Sequence, residues 1–295
     1  MIISNNKKVS ELTLEELFPK TLTDTVCINL NKGREVWVAT LMCAQYVESV
    51  VDSIIVRDDD FKPIGIVGGY DILDHLRKNP TRDFQYQTKV SEIMFKDLPQ
   101  IEKKTKLRDL IEIWKNSRRA FAIISNEFGD CSTVSARKMI EVGTKCKTNI
   151  SVSSMPKKKI VTFQQDDSLG KILNLMFENK TRRLLLKNSN QFISDRLILG
   201  EISRILKFQT DIDYFFDIPI NQFKLENVKA ITEDLKFNQL CSMMEKMDYP
   251  CVVYKDMIFT PWDVCLTLLR EDLTMDLKME NREKRMCPHC GKNID

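Results

Sequence analysis

A hydroxyl and a carboxylate stand three residues apart near the end of the chain, within MIFTPWDVCLTLL at residues 257–269. The pattern predicts a short apolar strand, then a turn containing Thr260, Pro261 and Asp263, then a helix. A carboxylate at a helix start can accept hydrogen bonds from ribose hydroxyls, as an acidic residue does in dinucleotide-binding folds. The helix N-terminus adds N–H donors and a positive dipole end that favour phosphate. These residue types could therefore bind a nucleotide.

The same three residues also fit the ordinary rules for starting a helix. Thr260 is a good N-cap, Pro261 is favoured in the first turn, and Asp263 lies near the third helical position. Capping and ligand binding are compatible, so the sequence leaves both interpretations open.

This strand-to-helix corner recurs three more times, as GIVGGYDIL at 65–73, TVSARKMI at 133–140 and FISDRLIL at 192–199. The two polar positions change from copy to copy. The position of Thr260 is held by Gly68, Ser135 and Ser194, and that of Asp263 by Asp71, Lys138 and Leu197. A lysine or leucine cannot accept from a ribose diol, so we expect the second and third sites to be empty or altered.

An amphipathic helix and a β-rich run precede each corner. Apolar residues recur at i, i+3, i+4 and i+7 from Leu107, Leu169 and Phe237, which indicates one buried helix face in each copy. The corresponding residues of the first copy, from Val36 to Cys43, fit this spacing less well, and we assign Asp167 as the N-cap of the third helix. The unit is β-α-β-β-α, so the chain is predicted to be an α/β (α+β) protein of four tandem repeats.

The unit boundaries follow from the spacing of the corners. We place the repeats at residues 17–80, 87–145, 150–208 and 215–270, with an N-terminal extension at 1–16 and a C-terminal tail at 271–295.

The repeated corner resembles that of the CBS domain, which commonly reads G-h-h-[ST]-x-x-D, where h is apolar. Residues 258–263 match its polar positions, although Met257 stands where glycine is usual. Residues 65–71 keep the glycine and the aspartate but have Gly68 in place of the hydroxyl. The resemblance covers residues from about 17 to 270. It implies that the repeats pair through their sheets into two Bateman modules, which form a flat disk either within one chain or by dimerisation.

The resemblance also implies a function. It indicates a regulatory signal-transduction protein, not an enzyme, that binds AMP, ADP or ATP between paired repeats, with S-adenosylmethionine or cyclic di-AMP as further candidates. A homodimer and an unidentified regulated protein are the implied partners. The implied ligand-binding residues are Thr260, Pro261, Asp263, Asp71, the main chain of Val228 and Ala230, and Tyr249. For Tyr249 a half-buried structural role is the alternative interpretation.

Basic residues stand near the starts of several predicted strands. They are Lys157–Lys159, Arg118–Arg119 and Arg182–Arg183. They could attract phosphates at a cleft mouth, or they could be solvated surface charges.

The tail contains the sequence CPHCG, with Cys287 and Cys290 in the turn chemistry of a zinc knuckle. One knuckle supplies two of the four ligands that zinc prefers. Two chains could share one zinc ion, a partner protein could complete the site, or the tail could be a flexible end with reactive thiols. Nearby basic residues make a nucleic-acid-associated regulator, dimerised by its repeats, the alternative function.

Composition narrows the class of protein. The chain has 295 residues, a net charge of +3 and only two histidines, which argues against most acid–base and histidine–metal chemistry. Four of its nine cysteines, Cys43, Cys241, Cys251 and Cys265, lie in apolar runs, so we expect a reducing cytoplasm. We expect no signal peptide and no membrane span.

Overall fold

The computed structural model describes residues 6–19, 28–46, 52–125 and 131–276. Strand β1 (Asn6–Lys8) and helix α1 (Leu14–Leu17) come first. Helix α1 begins with a capping box, in which the Thr13 N–H donates to Glu16 Oε2 at 2.9 Å and the Glu16 N–H donates to Thr13 Oγ1 at 3.3 Å. Helix α1 is therefore capped at its N-terminus by its own residues.

Two units of the same order follow. The first consists of β2 (Asn29–Asn31), α2 (Val36–Gln45), β3 (Ser53–Arg57), β4 (Pro63–Gly68) and α3 (Gly69–Lys78). Two short helices, α4 (Arg82–Gln87) and α5 (Val90–Ile93), lead to the second unit. It consists of β5 (Gln100–Ile101), α6 (Leu107–Ser117), β6 (Phe121–Ser125), β7 (Cys131–Ser135) and α7 (Met139–Lys145). In both, the first strand is parallel to the second and the second antiparallel to the third.

The third and fourth units are each preceded by a short extra strand. After β8 (Lys158–Lys159) come β9 (Thr162–Phe163), α8 (Leu169–Glu178), β10 (Arg183–Leu186), β11 (Gln191–Ser194) and α9 (Asp195–Phe208). After β12 (Glu226–Asn227) come β13 (Lys229–Ile231), α10 (Phe237–Met244), β14 (Val252–Tyr254), β15 (Met257–Phe259) and α11 (Pro261–Leu268). The last strand, β16 (Thr274–Asp276), pairs antiparallel with β1, so the two ends of the described chain meet.

The extra strands join the third and fourth units by exchange. The two sheets have the orders β12-β11-β10-β9 and β13-β14-β15-β8, so each takes its edge strand from the neighbouring unit. In one of these pairings Lys158 lies opposite Ile258. The exchange therefore places Lys158 beside the strand that leads into Thr260.

The first and second units also meet through their sheets. Phe95, from the segment before β5, forms an antiparallel bridge with Ile66 of β4. Buried apolar residues from both sheets form one small cluster, Ile55, Ile66, Phe121 and Ile123. These contacts pair the first unit with the second as the exchange pairs the third with the fourth.

Two larger cores run across these pairs. One combines the helices of the first and third units, with α2 packed against α9, and the other combines the second and fourth, with α7 packed against α10 and α11. Gly143 allows the close approach of α10, because a Cβ there would clash with the Cys241 sulfur. The predicted fold of four tandem α/β repeats in two pairs is confirmed, and all four pack together within one chain.

The helix faces follow the predicted spacing. Leu107, Leu169 and Phe237, which begin the three faces predicted from the sequence, are fully buried. Val36 and Cys43 of α2 are also buried, so the first copy obeys the same spacing better than its sequence indicated. The four cysteines predicted to be core residues, Cys43, Cys241, Cys251 and Cys265, are buried and form no disulfide bonds.

The predicted cap of α8 was wrong. The helix begins at Leu169, so the N-cap is Ser168, whose hydroxyl accepts from the Lys171 N–H at 3.4 Å. Asp167 instead accepts from the Gln164 N–H at 2.8 Å and from Lys171 Nζ at 2.5 Å. Its carboxylate therefore closes the turn before the helix.

Candidate functional site

The fourth corner brings Thr260 and Asp263 into direct contact. Because β15 ends at Phe259 and α11 begins at Pro261, Thr260 takes the N-cap position and Pro261 the first helical position. Asp263 Oδ2 accepts from the Thr260 N–H at 2.8 Å and from the Thr260 hydroxyl at 2.7 Å. Among the described residues, Asp263 Oδ1 has no hydrogen-bond partner. One carboxylate oxygen thus holds the cap, and the other is uncommitted.

Two basic side chains, Lys158 on β8 and Arg183 on β10, affect the pKa of Asp263. Burial raises the pKa of Asp263 above its ordinary value, and the Thr260 hydrogen bonds, Lys158 and Arg183 oppose the rise. Burial lowers the pKa of Lys158, while Asp263 opposes that change. Lys158 Nζ donates to the Lys180 carbonyl at 2.8 Å. The fourth corner therefore combines an acceptor for hydroxyl groups with two cations for an anionic group.

The first corner has the same backbone hydrogen bond to its aspartate but a different partner for the second carboxylate oxygen. Asp71 Oδ2 accepts from the Gly68 N–H at 2.9 Å. Asp71 Oδ1 is bonded by Nη2 of Arg119, which belongs to the second unit. Burial raises the pKa of Asp71, and Arg119 acts against that rise. Both oxygens of this carboxylate are therefore in use.

The third corner contains an ionic cluster that sequence reasoning missed. Ser194 caps α9 by accepting from the Leu197 N–H at 3.3 Å, and Leu197 is buried as predicted. The next residue, Asp195, accepts from Arg182 Nε at 2.8 Å. Arg182 Nη1 also donates to Asp52 of the first unit at 3.1 Å. Burial favours a higher pKa for Asp195, but Arg182 and the neighbouring arginines hold it below its ordinary value.

No local pattern pointed to this cluster. Asp195 follows the hydroxyl directly instead of three residues later, and Asp52 is 130 positions from Arg182 in the sequence. The three side chains meet only because the first unit packs against the third.

The second corner has no free acceptor in the place of Asp263. Lys138 donates to Glu141 at 2.7 Å, and its ammonium lies 5.4 Å from the centre of the Phe18 ring. The Lys138 side chain has only hydrogen-bond donors, so it cannot accept from a ribose hydroxyl.

The remaining predicted ligand-binding residues are Val228, Ala230 and Tyr249. The Val228 N–H donates to the Asn190 carbonyl of the third unit at 2.7 Å, and Val228 is buried. The Tyr249 ring packs edge-on against Phe192, with ring centres 6.1 Å apart. Ala230 is exposed on β13. Val228 and Tyr249 thus contact the third unit, and their ligand-binding roles stay predictions.

The predicted zinc ligands, Cys287 and Cys290, lie outside the described residues, as does the basic tail on which the nucleic-acid alternative depends. Within the described ranges, no group of three or more His, Cys, Asp or Glu side chains could hold a metal ion. No helix in that part of the chain is long and apolar enough to cross a membrane. A cavity of about 490 Å³ lies along α8 and is lined by Lys171, Tyr214 and Phe216 among others, with no residue of the four corners in its lining.

Comparison with known proteins identifies the fold. No family model matches the sequence, and no curated protein matches it. A solved structure from Methanocaldococcus jannaschii, proposed as an archaeal homolog of g-AMPK, matches with a TM-score of 0.70 and 15% identity, over 86% of this chain and 99% of that one. The chain has the fold of tandem CBS repeats.

Two further structures are less similar. A conserved protein from Pyrococcus horikoshii matches with a TM-score of 0.48 and 12% identity, over 90% of this chain and 100% of that chain. A CBS-domain containing protein from Agrobacterium tumefaciens matches with a TM-score of 0.37 and 15% identity, over 44% and 90% of the two chains.

Proposed function

We propose that this protein is a regulatory protein, and not an enzyme, that binds an adenosine-containing nucleotide of the AMP, ADP or ATP class at its fourth corner. One observation carries the proposal. Asp263 keeps one carboxylate oxygen without a hydrogen-bond partner among the described residues, in a position fixed by the Thr260 cap, and the charges of Lys158 and Arg183 act on that carboxyl group.

Each group at this corner matches part of a nucleotide. Asp263 Oδ1 would accept hydrogen bonds from the ribose hydroxyls, which are stronger when the acceptor is charged. The Thr260 hydroxyl donates to Asp263 and still has lone pairs for a further bond. Lys158 and Arg183 would neutralise phosphate charge. Because the cap already holds the carboxylate in place, little ordering of the protein is needed on binding.

The strand exchange gives the ligand a way to act on the fold. Arg183 is on β10, in the sheet of the third unit, whereas Asp263 lies in the first turn of the last helix of the fourth unit and Lys158 is on β8, which pairs with β15 of that unit. A nucleotide that contacts both sides would favour one relative angle of the two units, and a partner protein could detect that angle. The ligand shifts this equilibrium only by its difference in affinity for the two states. A regulatory role agrees with the description of the M. jannaschii protein as an archaeal homolog of g-AMPK.

Thermal melts with AMP, ADP, ATP, S-adenosylmethionine and cyclic di-AMP test the proposal. Ligand at about 100 times Kd stabilises the native state by about 2.7 kcal/mol, which raises Tm by several degrees. We expect this rise with an adenine nucleotide for the wild type and for Asp71→Asn, and about a third of it for Asp263→Asn, whose affinity should be about 30-fold lower. Asparagine keeps an oxygen for the cap, so the loss would report the missing charge. A folded wild-type protein whose Tm moves with none of the five ligands would contradict the proposal.

A further inference from the structure

The first corner has the geometry of a binding site that is already occupied. Arg119 precedes β6 of the second unit, yet its guanidinium reaches Asp71 at the start of α3. The guanidinium carbon lies 4.8 Å from the centre of the Tyr70 ring and 5.0 Å from that of Phe95. A carboxylate with two aromatic rings is the arrangement that proteins use to hold a cation.

The Arg119 guanidinium is held mainly by burial and by its contacts with Asp71 and the two rings. The side chains of Asp71 and Arg119 are 7% and 19% exposed. Arg119 Nε is buried and has no hydrogen-bond partner among the described residues. An unpaired buried donor is costly. The carboxylate and the two rings therefore hold the guanidinium without a complete set of hydrogen bonds.

The first corner also offers less to an external nucleotide than the fourth. Gly68 lacks the hydroxyl that Thr260 supplies, and a Cβ at Gly68 would lie 3.0 Å from Ser53 Oγ. The oxygen that is free in Asp263 is taken in Asp71 by Arg119.

We propose that the first corner is a guanidinium site that the chain fills with its own Arg119, and that this filling closes the corner to external ligands. The chain then binds one nucleotide, at the fourth corner. This count of one rests on the proposed function, whereas the guanidinium site does not.

Chemical rescue tests the guanidinium site without any nucleotide. Arg119→Ala would leave the cage of Asp71, Tyr70 and Phe95 vacant. Methylguanidinium at 20 to 50 mM, on the order of a weak Kd, should then raise the Tm of this variant by about 1 °C relative to equal methylammonium. The matched control is Arg118→Ala, which removes the exposed neighbouring arginine and should show no difference between the two ions. The double variant Asp71→Asn/Arg119→Ala should lose the rescue. Equal responses of Arg119→Ala to both ions would overturn the site.

The wild-type protein provides a second measurement if Arg119→Ala does not fold. A caged guanidinium rotates slowly, so its Nη signals should be resolved in spectra of the ¹⁵N-arginine-labelled protein. Loss of these signals in Arg119→Lys assigns them. Averaged Nη signals for Arg119 would overturn the proposal.

Calorimetric titration tests the closure of the first corner. We expect one nucleotide per wild-type chain, one per Asp71→Asn chain, and binding about 30-fold weaker to the Asp263→Asn chain. Two per wild-type chain, with one lost in Asp71→Asn, would overturn the closure. No binding to the wild type would refute the proposed function alone, because the rescue assay decides the guanidinium site independently.

Discussion

The first and fourth corners share one local design and differ in one long-range contact. In each, an aspartate three residues after the N-cap accepts from the N-cap N–H, at 2.9 Å in Asp71 and 2.8 Å in Asp263. In each, the corner ends the third strand of a unit and begins a helix. The second oxygen differs, because Arg119 binds that of Asp71 while that of Asp263 has no partner among the described residues.

The arginines of the paired units stand at different places, because Arg119 precedes β6 whereas Arg183 is the first residue of β10. Phe121 pairs with Ser135, and Arg183 pairs with Ser194. Because the two serines hold the same position in their corners, Phe121 and Arg183 are equivalent. Arg119 therefore lies two residues before the position of Arg183. The two arginines therefore stand at different positions relative to the strand that follows the helix of their unit.

The largest expected effect is on stability at the closed corner. Removing one partner of a buried ion pair leaves an uncompensated charge, so Arg119→Ala should lower the free energy of unfolding by about 3 kcal/mol. The exposed Arg118 provides the control, and Arg118→Ala should change the free energy of unfolding by less than about 0.5 kcal/mol. Urea denaturation measures both. Equal values for the two variants would remove the distinction between the corners.

The next effect is on nucleotide affinity at the open corner. A hydrogen bond to a charged group contributes about 2 kcal/mol, so Asp263→Asn should weaken binding about 30-fold. Asp71→Asn should leave the affinity within about twofold, because its carboxylate is taken by Arg119. Titration calorimetry gives both dissociation constants. A greater loss in Asp71→Asn than in Asp263→Asn would reverse the assignment of the two corners.

The basic side of the open corner should have a smaller and ligand-dependent effect. Lys158→Ala should weaken binding of a phosphate-bearing nucleotide about tenfold and leave adenosine binding unchanged, since only the phosphate needs the cation. Lys159→Ala is the matched control, because successive side chains on β8 point to opposite faces and Lys159 is exposed. The same loss in both lysine variants would indicate a general charge effect.

The pH dependence of stability distinguishes the raised pKa of Asp263 from an ordinary one. A carboxyl group with a raised pKa in the folded state contributes stability below its ordinary value of 3.8. That contribution is lost as pH rises through the folded pKa, because the unfolded chain releases its proton first. Asp263→Asn cannot titrate, so the unfolding free energy of the wild type minus that of the variant should fall from acid to neutral pH. A difference that grows with pH would contradict this sign.

Much of the fold could be predicted because its signals are local. The spacing that begins at Leu107 specifies a helix face within a few residues, and so do the spacings from Leu169 and Phe237. The capped geometry of Thr260 and Asp263 could also be predicted, since N-cap rules involve only neighbouring residues. The cap of α8 was missed because Asp167 and Ser168 are both good capping residues, and one position decides between them.

Other features had no local signal. The cluster of Asp52, Arg182 and Asp195 joins two units, and each of its residues is an ordinary surface type in the sequence. Strand β8 has two residues, which is too short for a recognisable strand pattern. Lys158 could therefore be placed beside the fourth corner only once its pairing with β15 was known.

The sequence by itself determined four α/β units and a capped polar corner in two of them, because periodicity and capping depend on residues a few positions apart. Tertiary structure decided which corner is open. Arg119 binds Asp71, which is 48 positions away in the sequence, and the strand exchange brings Lys158 to the strand that leads into the fourth corner. Such contacts depend on how complete units pack, and the sequence around the residues that make them contains no pattern that predicts them.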